Sequence, residues 1–375
     1  MKKLLTGAAA AALAVTTAAP AAAATATVSS AAAAPPAVAP AHGTSAHPHG
    51  ADDAGTLDLQ SHRGGRGEWT EESLTAFEQS LRLGVTTLEL DTHLSEEDRI
   101  LVWHDDVVQA DKCRDTAAAV PGDPEFPYVG DRVRELTLAQ IRTLDCGYVQ
   151  LEGYPLQDVV EGNRIAELQD VYELVRAYGA SDMRFNVETK VEVAGEAGRA
   201  EQEALTAAVV GAIQDSGFED STTLQSFDWA SLDHARTLDE DLALVALTDT
   251  YEWAGLGEEG ADDNLGGLDL DDHGGSFARA AAAKGYDALS PNRTTVTPAM
   301  VEEAHGLGLG IVPWTVNNRV EMETLIDWGV DGIITDHPTT LRDVMADRGL
   351  PLPEAYDEPG SGHGHGGKHH GHGRH

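Results

Sequence analysis

Eight short runs rich in apolar and β-branched residues, alternating with stretches patterned as helices, recur between residues 57 and 336. They are LDLQSH (57–62), TTLELD (86–91), RFNVETK (184–190), TTLQSF (222–227), ALVALT (243–248), DALSP (287–291), GIVPWTV (310–316) and DGIITD (331–336). Alternation of this kind predicts a parallel sheet with crossover helices, and eight units is the number that closes a (β/α)8 TIM barrel. One further run, ILVWHDD at 100–106, does not fit the count. Too few residues separate it from Asp91 for a parallel crossover, which needs about a dozen. Residues 86–104 are therefore expected to form a hairpin, with SEEDR near its turn and the second strand folded back beside the second barrel strand.

An insertion is expected after that hairpin strand, over about 105–157, because this stretch breaks the alternation with several Pro and Gly residues and only a short helical patch near LTLAQIRTL. It holds the only two cysteines, Cys113 and Cys146. The segment reads as stapled rather than packed, with a Cys113–Cys146 disulfide favoured over free thiols or a metal pair in an oxidising compartment. RIAELQDVYELVRAYG then predicts an amphipathic helix with Ile165, Leu168, Val171, Leu174 and Val175 on one face. The acidic, Gly-rich stretch 255–275 predicts a second surface excursion and lacks the glutamate spacing of a calcium loop.

The compartment is inferred from the other end of the chain. Residues 1–24 read as a secretory signal peptide, with two lysines, a short Leu/Ala/Val run and cleavage near Ala23 or Ala24. Residues 25–55 form an Ala/Pro/His-rich leader that lacks the means to build a core, and 351–375 a His/Gly-rich tail able to bind transition metals through imidazole. Between them, 56–350 is long enough for one large barrel or two smaller domains, and composition alone does not choose. The expectation is a secreted protein without stable membrane anchoring, since no later segment offers about twenty uninterrupted apolar residues. A formal net charge of -38 excludes a broad basic face for nucleic acid. Any phosphate bound must meet a local cationic pocket. The sequence carries no signal of oligomeric state.

In such a barrel the chemistry sits at the carboxyl ends of the strands. There the sequence places His62 and Arg63 on the first strand, Glu89 and Asp91 on the second, Glu188 and Lys190 on the third, Ser226 on the fourth and Trp314 on the seventh. Residues two apart on a strand face the same way. Three carboxylates converging there would repel one another unless a hard cation, Ca2+ or Mg2+, sits among them. His62 and His104 can exchange protons with an alcohol oxygen near neutral pH, and Arg63 and Lys190 can hold phosphate oxygens. Trp314 is a candidate for the substrate cleft and equally for a structural tryptophan, Trp103 is expected to pack on the hairpin, and His93 reads as an edge polar residue. Arg66, beyond the glycines of the HRGGR loop, receives no role.

These pieces resemble the glycerophosphodiester phosphodiesterase family, whose pattern runs H-R-G, P-E-N-T with A-F, E-x-D and H-D. Here they are HRG at 62–64, TEES with TAF, ELD at 89–91 and HD at 104–105, followed by NVETK, QSF, WTVN and DGIITDHP. The resemblance spans Leu57 to Leu341. It implies a (β/α)8 barrel with an insertion after the H-D strand and metal-dependent hydrolysis of small glycerophosphodiesters to sn-glycerol 3-phosphate and an alcohol. It also implies acid–base roles for His62 and His104, one divalent cation on Glu89, Asp91 and Glu188, and phosphate contacts from Arg63 and Lys190. The chain departs from the family at P-E-N-T, where it has Thr70, Glu71, Glu72 and Ser73. Thr70 is expected to cap the following helix, with both glutamates in its first turn. Two other readings are a phospholipase D-like enzyme acting on lysolipids or sphingolipids, which needs an apolar mouth, and a noncatalytic secreted metal-binding protein using the histidine tail.

Overall fold

The computed structural model describes residues 56–190, 195–258, 260 and 262–359. The expected signal peptide and leader lie outside the described residues, as does the tail beyond residue 359. Among the described residues, no helix is long and apolar enough to cross a membrane.

All eight expected strands are present: β1 (Asp58–Ser61), β2 (Thr87–Leu94), β6 (Arg184–Thr189), β7 (Thr222–Ser226), β8 (Ala243–Thr248), β9 (Ala288–Pro291), β10 (Gly310–Ile311) and β11 (Gly332–Thr335). They pair in parallel in the order β10-β9-β8-β7-β6-β2-β1-β11. The two ends of that series meet through backbone bonds from Asp331 N to Ile311 O, Ile334 N to Pro313 O and Val316 N to Ile334 O, each 3.0 Å. The result is a nearly closed barrel. The seventh strand is regular over only two residues because Pro313 has no N–H to give to the ladder.

The hairpin forms as expected, with β3 (Ile100–Val102) antiparallel to β2 in a register that sets Thr92 against Val102 and Leu94 against Ile100. The remaining strands, β4 (Arg114–Asp115) and β5 (Leu144–Asp145), pair with each other inside the insertion, and Cys113 and Cys146 flank that pair as a disulfide. The stapled reading, however, is corrected. Leu101, Trp103, Val108, Tyr128, Val133, Leu136, Ile141, Leu144 and Ile165 bury one another beside the disulfide in a second core, separate from that of the barrel. The insertion is thus both packed and stapled, and Trp103, expected to pack on the hairpin, is buried in this core. Ile165 joins this core rather than the next helix, which spans Leu168–Ala177 and buries Leu168, Val171 and Val175 against the barrel.

Packing and cross-linking in the insertion can be measured separately by urea unfolding. Replacing both cysteines (Cys113→Ser with Cys146→Ser) is expected to cost about 3–4 kcal/mol through loop closure. Ile141→Ala is expected to cost about 2–5 kcal/mol through the cavity it leaves. A segment held by the disulfide alone would make Ile141→Ala neutral.

Candidate active site

The loop after β1 turns sharply at His62–Gly64, with Arg63, Gly64 and Gly65 all in the left-handed region (φ 51, 77 and 92). Glycine is required at the second of these, because a Cβ on Gly64 would stand 2.9 Å from the Ala76 Cβ. Arg63 adopts a conformation unfavourable for a residue with a side chain, and a hydrogen bond and an ion pair to β2 hold it there. Its N–H donates to Glu89 Oε2, and its Nε meets Asp91 Oδ2, both at 2.9 Å.

Glu89 and Asp91 face the barrel interior from β2, and the register sets Asp91 beside Glu188 on β6. The three buried carboxylates each offer an oxygen within 4.8 Å of the others. Lys190 lies 2.8 Å from Glu188 Oε1 and 3.4 Å from Asp91 Oδ1. Glu89 is further fixed from below by a buried polar column. Gln225 donates to Glu89 Oε1, Asn186 donates to both Gln225 and Gln60, and Gln60 donates to Asp58.

The electrostatics of this cluster suit a cation. Burial and the neighbouring Asp91 and Glu188 push the Glu89 carboxyl well up, and burial raises Glu188 to about 8 against the pull of Lys190. Burial alone would also raise Asp91, but Lys190 and Arg63 outweigh it and hold this carboxyl well below its usual range. Both Asp91 carboxylate oxygens are buried and meet Arg63 and Lys190 as ion pairs rather than as aligned hydrogen bonds. Crowded all-oxygen donors of this kind fit a hard divalent ion.

Each histidine is backed by a carboxylate. His62 Nδ1 is 2.5 Å from Asp336 Oδ1, and His104 Nδ1 is 2.9 Å from Asp105 Oδ1. A carboxylate at Nδ1 selects the tautomer that carries its proton there and leaves Nε2 for exchange. Burial lowers both imidazoles, His104 to about 4, although Asp336 and Asp105 oppose the shift. Asp336 was not singled out from the sequence. Its signal was its place at the end of the eighth strand, in DGIITDHP.

The TEES stretch differs from expectation. Ser73, not Thr70, caps the helix Leu74–Leu83 by accepting from Ala76 N, and no acidic residue occupies its first turn. Thr70 instead accepts from Val160 N in the insertion. Glu71 and Glu72 point into the site. Glu71 binds Arg66 Nε at 2.7 Å and Lys112 Nζ at 2.6 Å, which gives Arg66 a partner that the sequence did not supply. Glu72 accepts from Asp91 N, and burial with the nearby Asp91 charge raises its carboxyl well above the usual range.

His93 is not an edge residue. It is buried and its Nε2 lies 3.1 Å from the His104 carbonyl oxygen. Ser226 is occupied with the backbone, donating to Thr189 O. Trp314 stands edge-on to Phe227 at 5.2 Å, and Lys190 Nζ lies 5.7 Å from the Phe227 ring centre, so this tryptophan shares the end of the barrel that holds the carboxylates. Phe227 and Trp253, the latter edge-on to the former, complete an aromatic group that the sequence reading missed.

The chain matches the family model described as the glycerophosphoryl diester phosphodiesterase family over residues 62–340. It is 28% identical over 281 residues to a glycerophosphodiester phosphodiesterase of Caldanaerobacter subterraneus subsp. tengcongensis, covering 75% of this chain and 94% of that relative. A solved structure of the same family from Silicibacter pomeroyi DSS-3 superposes with a TM-score of 0.67 at 29% identity, covering 79% of this chain and 95% of the other. A phosphodiesterase of Oleispira antarctica, solved in complex with the product sn-glycerol-3-phosphate, shares the fold at 17% identity and a TM-score of 0.58, with 78% and 97% covered.

Adding Ca2+ or Mg2+ to chelated protein is expected to raise Tm, with stabilisation of about 4 kcal/mol at a thousandfold excess over Kd. Glu188→Gln should lose most of that response in a thermal-shift titration. An unchanged response would remove Glu188 from the cation site.

Proposed function

We propose that this chain, which belongs to the glycerophosphoryl diester phosphodiesterase family, hydrolyses glycerophosphodiesters to sn-glycerol 3-phosphate and an alcohol. His62 and His104 serve as the acid–base pair, and Ca2+ or Mg2+ is held by Glu89, Asp91 and Glu188. The observation that carries this reading is the convergence of three buried carboxylates at the end of the barrel that also holds two carboxylate-backed histidines.

Arg63 and Lys190 already contact the ligand carboxylates at 2.9 and 2.8 Å, so a phosphate beside those carboxylates is within reach of both cations. When bound, the cation supplies charge neutralisation at the phosphate oxygens. One imidazole removes the proton from the attacking oxygen as the new P–O bond forms. If that oxygen is water's, the product is sn-glycerol 3-phosphate; if it is the substrate's own glycerol hydroxyl, a cyclic phosphate forms that a water then opens in a second step. The other, entering as the imidazolium, gives its Nε2 proton to the departing alkoxide as the old P–O bond breaks. Asp336 and Asp105 keep the Nδ1 protons in place and stabilise whichever ring becomes imidazolium, and burial keeps the resting base neutral.

The substrate is expected to be the small deacylated diester. We further place the protein outside the cytoplasm, a reading supported by the signal-like N-terminal pattern and by a disulfide of the kind that persists in oxidising compartments.

Hydrolysis of glycerophosphocholine tests the reading. His62→Ala and His104→Ala should each lower kcat by about 10²–10⁴, and chelation should abolish turnover until Ca2+ or Mg2+ is restored. Near-full activity in either variant would end the two-histidine mechanism. Turnover of lysophosphatidylcholine alone would replace the diester with a lysolipid substrate.

A further inference from the structure

The disulfide-closed insertion reaches the carboxylate partners of both histidines, from two directions. Lys112, the residue before Cys113, donates through Nζ to Asp105 Oδ2, while Asp105 Oδ1 holds His104. The same ammonium donates to Glu71 Oε1 at 2.6 Å and lies 5.5 Å from the ring centre of Trp103 in the insertion core. On the other side, the Tyr154 hydroxyl donates to Asp336 Oδ2 at 3.1 Å, while Asp336 Oδ1 holds His62. Arg66 covers the Tyr154 ring at 4.9 Å and pairs with Glu71 through Nε.

These contacts form one continuous arc: His104, Asp105, Lys112, Glu71, Arg66, Tyr154, Asp336, His62. In each half the carboxylate spends one oxygen on the imidazole and the other on the insertion. A carboxylate held at both oxygens cannot rotate away from the ring, so the imidazole keeps its direction as well as its tautomer. The residues that do this are themselves anchored. Cys113 is buried in the second core, and the backbone around Tyr154 is tied back by Gln157, whose side chain donates to Arg66 O at 2.7 Å.

We propose that the insertion is a positioning device for the acid–base pair, with Lys112 fixing His104 through Asp105 and Tyr154 fixing His62 through Asp336. The proposal rests on the assignment of those histidines above. Neither Lys112 nor Tyr154 is assigned any contact with substrate. The two halves are unequal: among the described residues Asp105 Oδ2 accepts from Lys112 alone, whereas Asp336 Oδ2 also accepts from Asn317 at 2.6 Å. Losing Lys112 should therefore cost more than losing the Tyr154 hydroxyl.

The test is steady-state kinetics of the full-length enzyme on glycerophosphocholine with the activating cation present. Lys112→Met is expected to lower kcat about 10- to 100-fold and Tyr154→Phe about 3- to 10-fold, each with KM nearly unchanged. Lys112→Arg should recover most of the loss. In double-mutant cycles, Lys112→Met with Asp105→Asn, and Tyr154→Phe with Asp336→Asn, should lose little more than the aspartate variant alone. Additive losses, an effect confined to KM, or wild-type kcat in Lys112→Met would overturn the proposal. Should Lys112→Met fail to fold, the nearly isosteric Tyr154→Phe and its cycle with Asp336→Asn decide the matter. Activity in His62→Ala or His104→Ala would sink the acid–base assignment itself. Inactive histidine variants together with wild-type Lys112→Met and Tyr154→Phe would sink only the positioning role.

Discussion

Buried negative charge at the carboxyl end of the barrel is the constraint to which the surrounding structure answers. Glu71, Glu72, Glu89, Asp91 and Glu188 are all buried there, and the histidine partners Asp105 and Asp336 stand beside them. Four cations face these seven carboxylates: Arg63, Arg66, Lys112 and Lys190. The uncompensated part falls on Glu72, Glu89 and Glu188, the three among them whose carboxyls end above their usual range because neighbouring cations do not offset burial. A divalent ion relieves that imbalance more effectively than another side chain could, because it brings two charges without a stem to bury.

Neutralisation also explains the local backbone. Arg63 and Glu72 are both non-glycine residues with left-handed φ, 51 and 53, and Glu72 N donates to Arg63 O. Ordinary loop conformations would carry the Arg63 guanidinium and the Glu72 carboxyl away from β2. The strain is offset by the bonds these residues make to Glu89 and Asp91. Below them the column from Asp58 through Gln60, Asn186 and Gln225 fills the barrel with satisfied polar groups, so Glu89 is oriented from underneath as well as from the side.

Much of this was legible along the chain. Period-two alternation put Glu89 with Asp91, and Glu188 with Lys190, on common faces. The hairpin followed from a spacing too short for a crossover. Errors arose where a polar residue's partner lay far away in sequence. Thr70 and Ser73 are equally good caps on composition, and only the approach of the insertion, which claims Thr70 through Val160 N, leaves the helix to Ser73. His93 reads as an edge residue until the returning β3 strand brings the His104 carbonyl onto it. The insertion lacked the regular periodicity that marks a core, because its apolar residues are gathered from turns and two-residue strands rather than from one long face.

The sequence by itself determined the number of barrel strands, the polar residues that end them, and hence the carboxylates, cations and histidines available to the site. Those are local properties, governed by side-chain alternation and by which residues can follow a strand. The tertiary structure decided which of these groups serve one another. Asp336 backs His62 across 274 residues because β11 lies beside β1 in the closed barrel, and Lys112 reaches Asp105 and Glu71 together because the insertion folds onto the barrel mouth. Such pairings depend on barrel closure and on the packing of a second core, which no local pattern encodes.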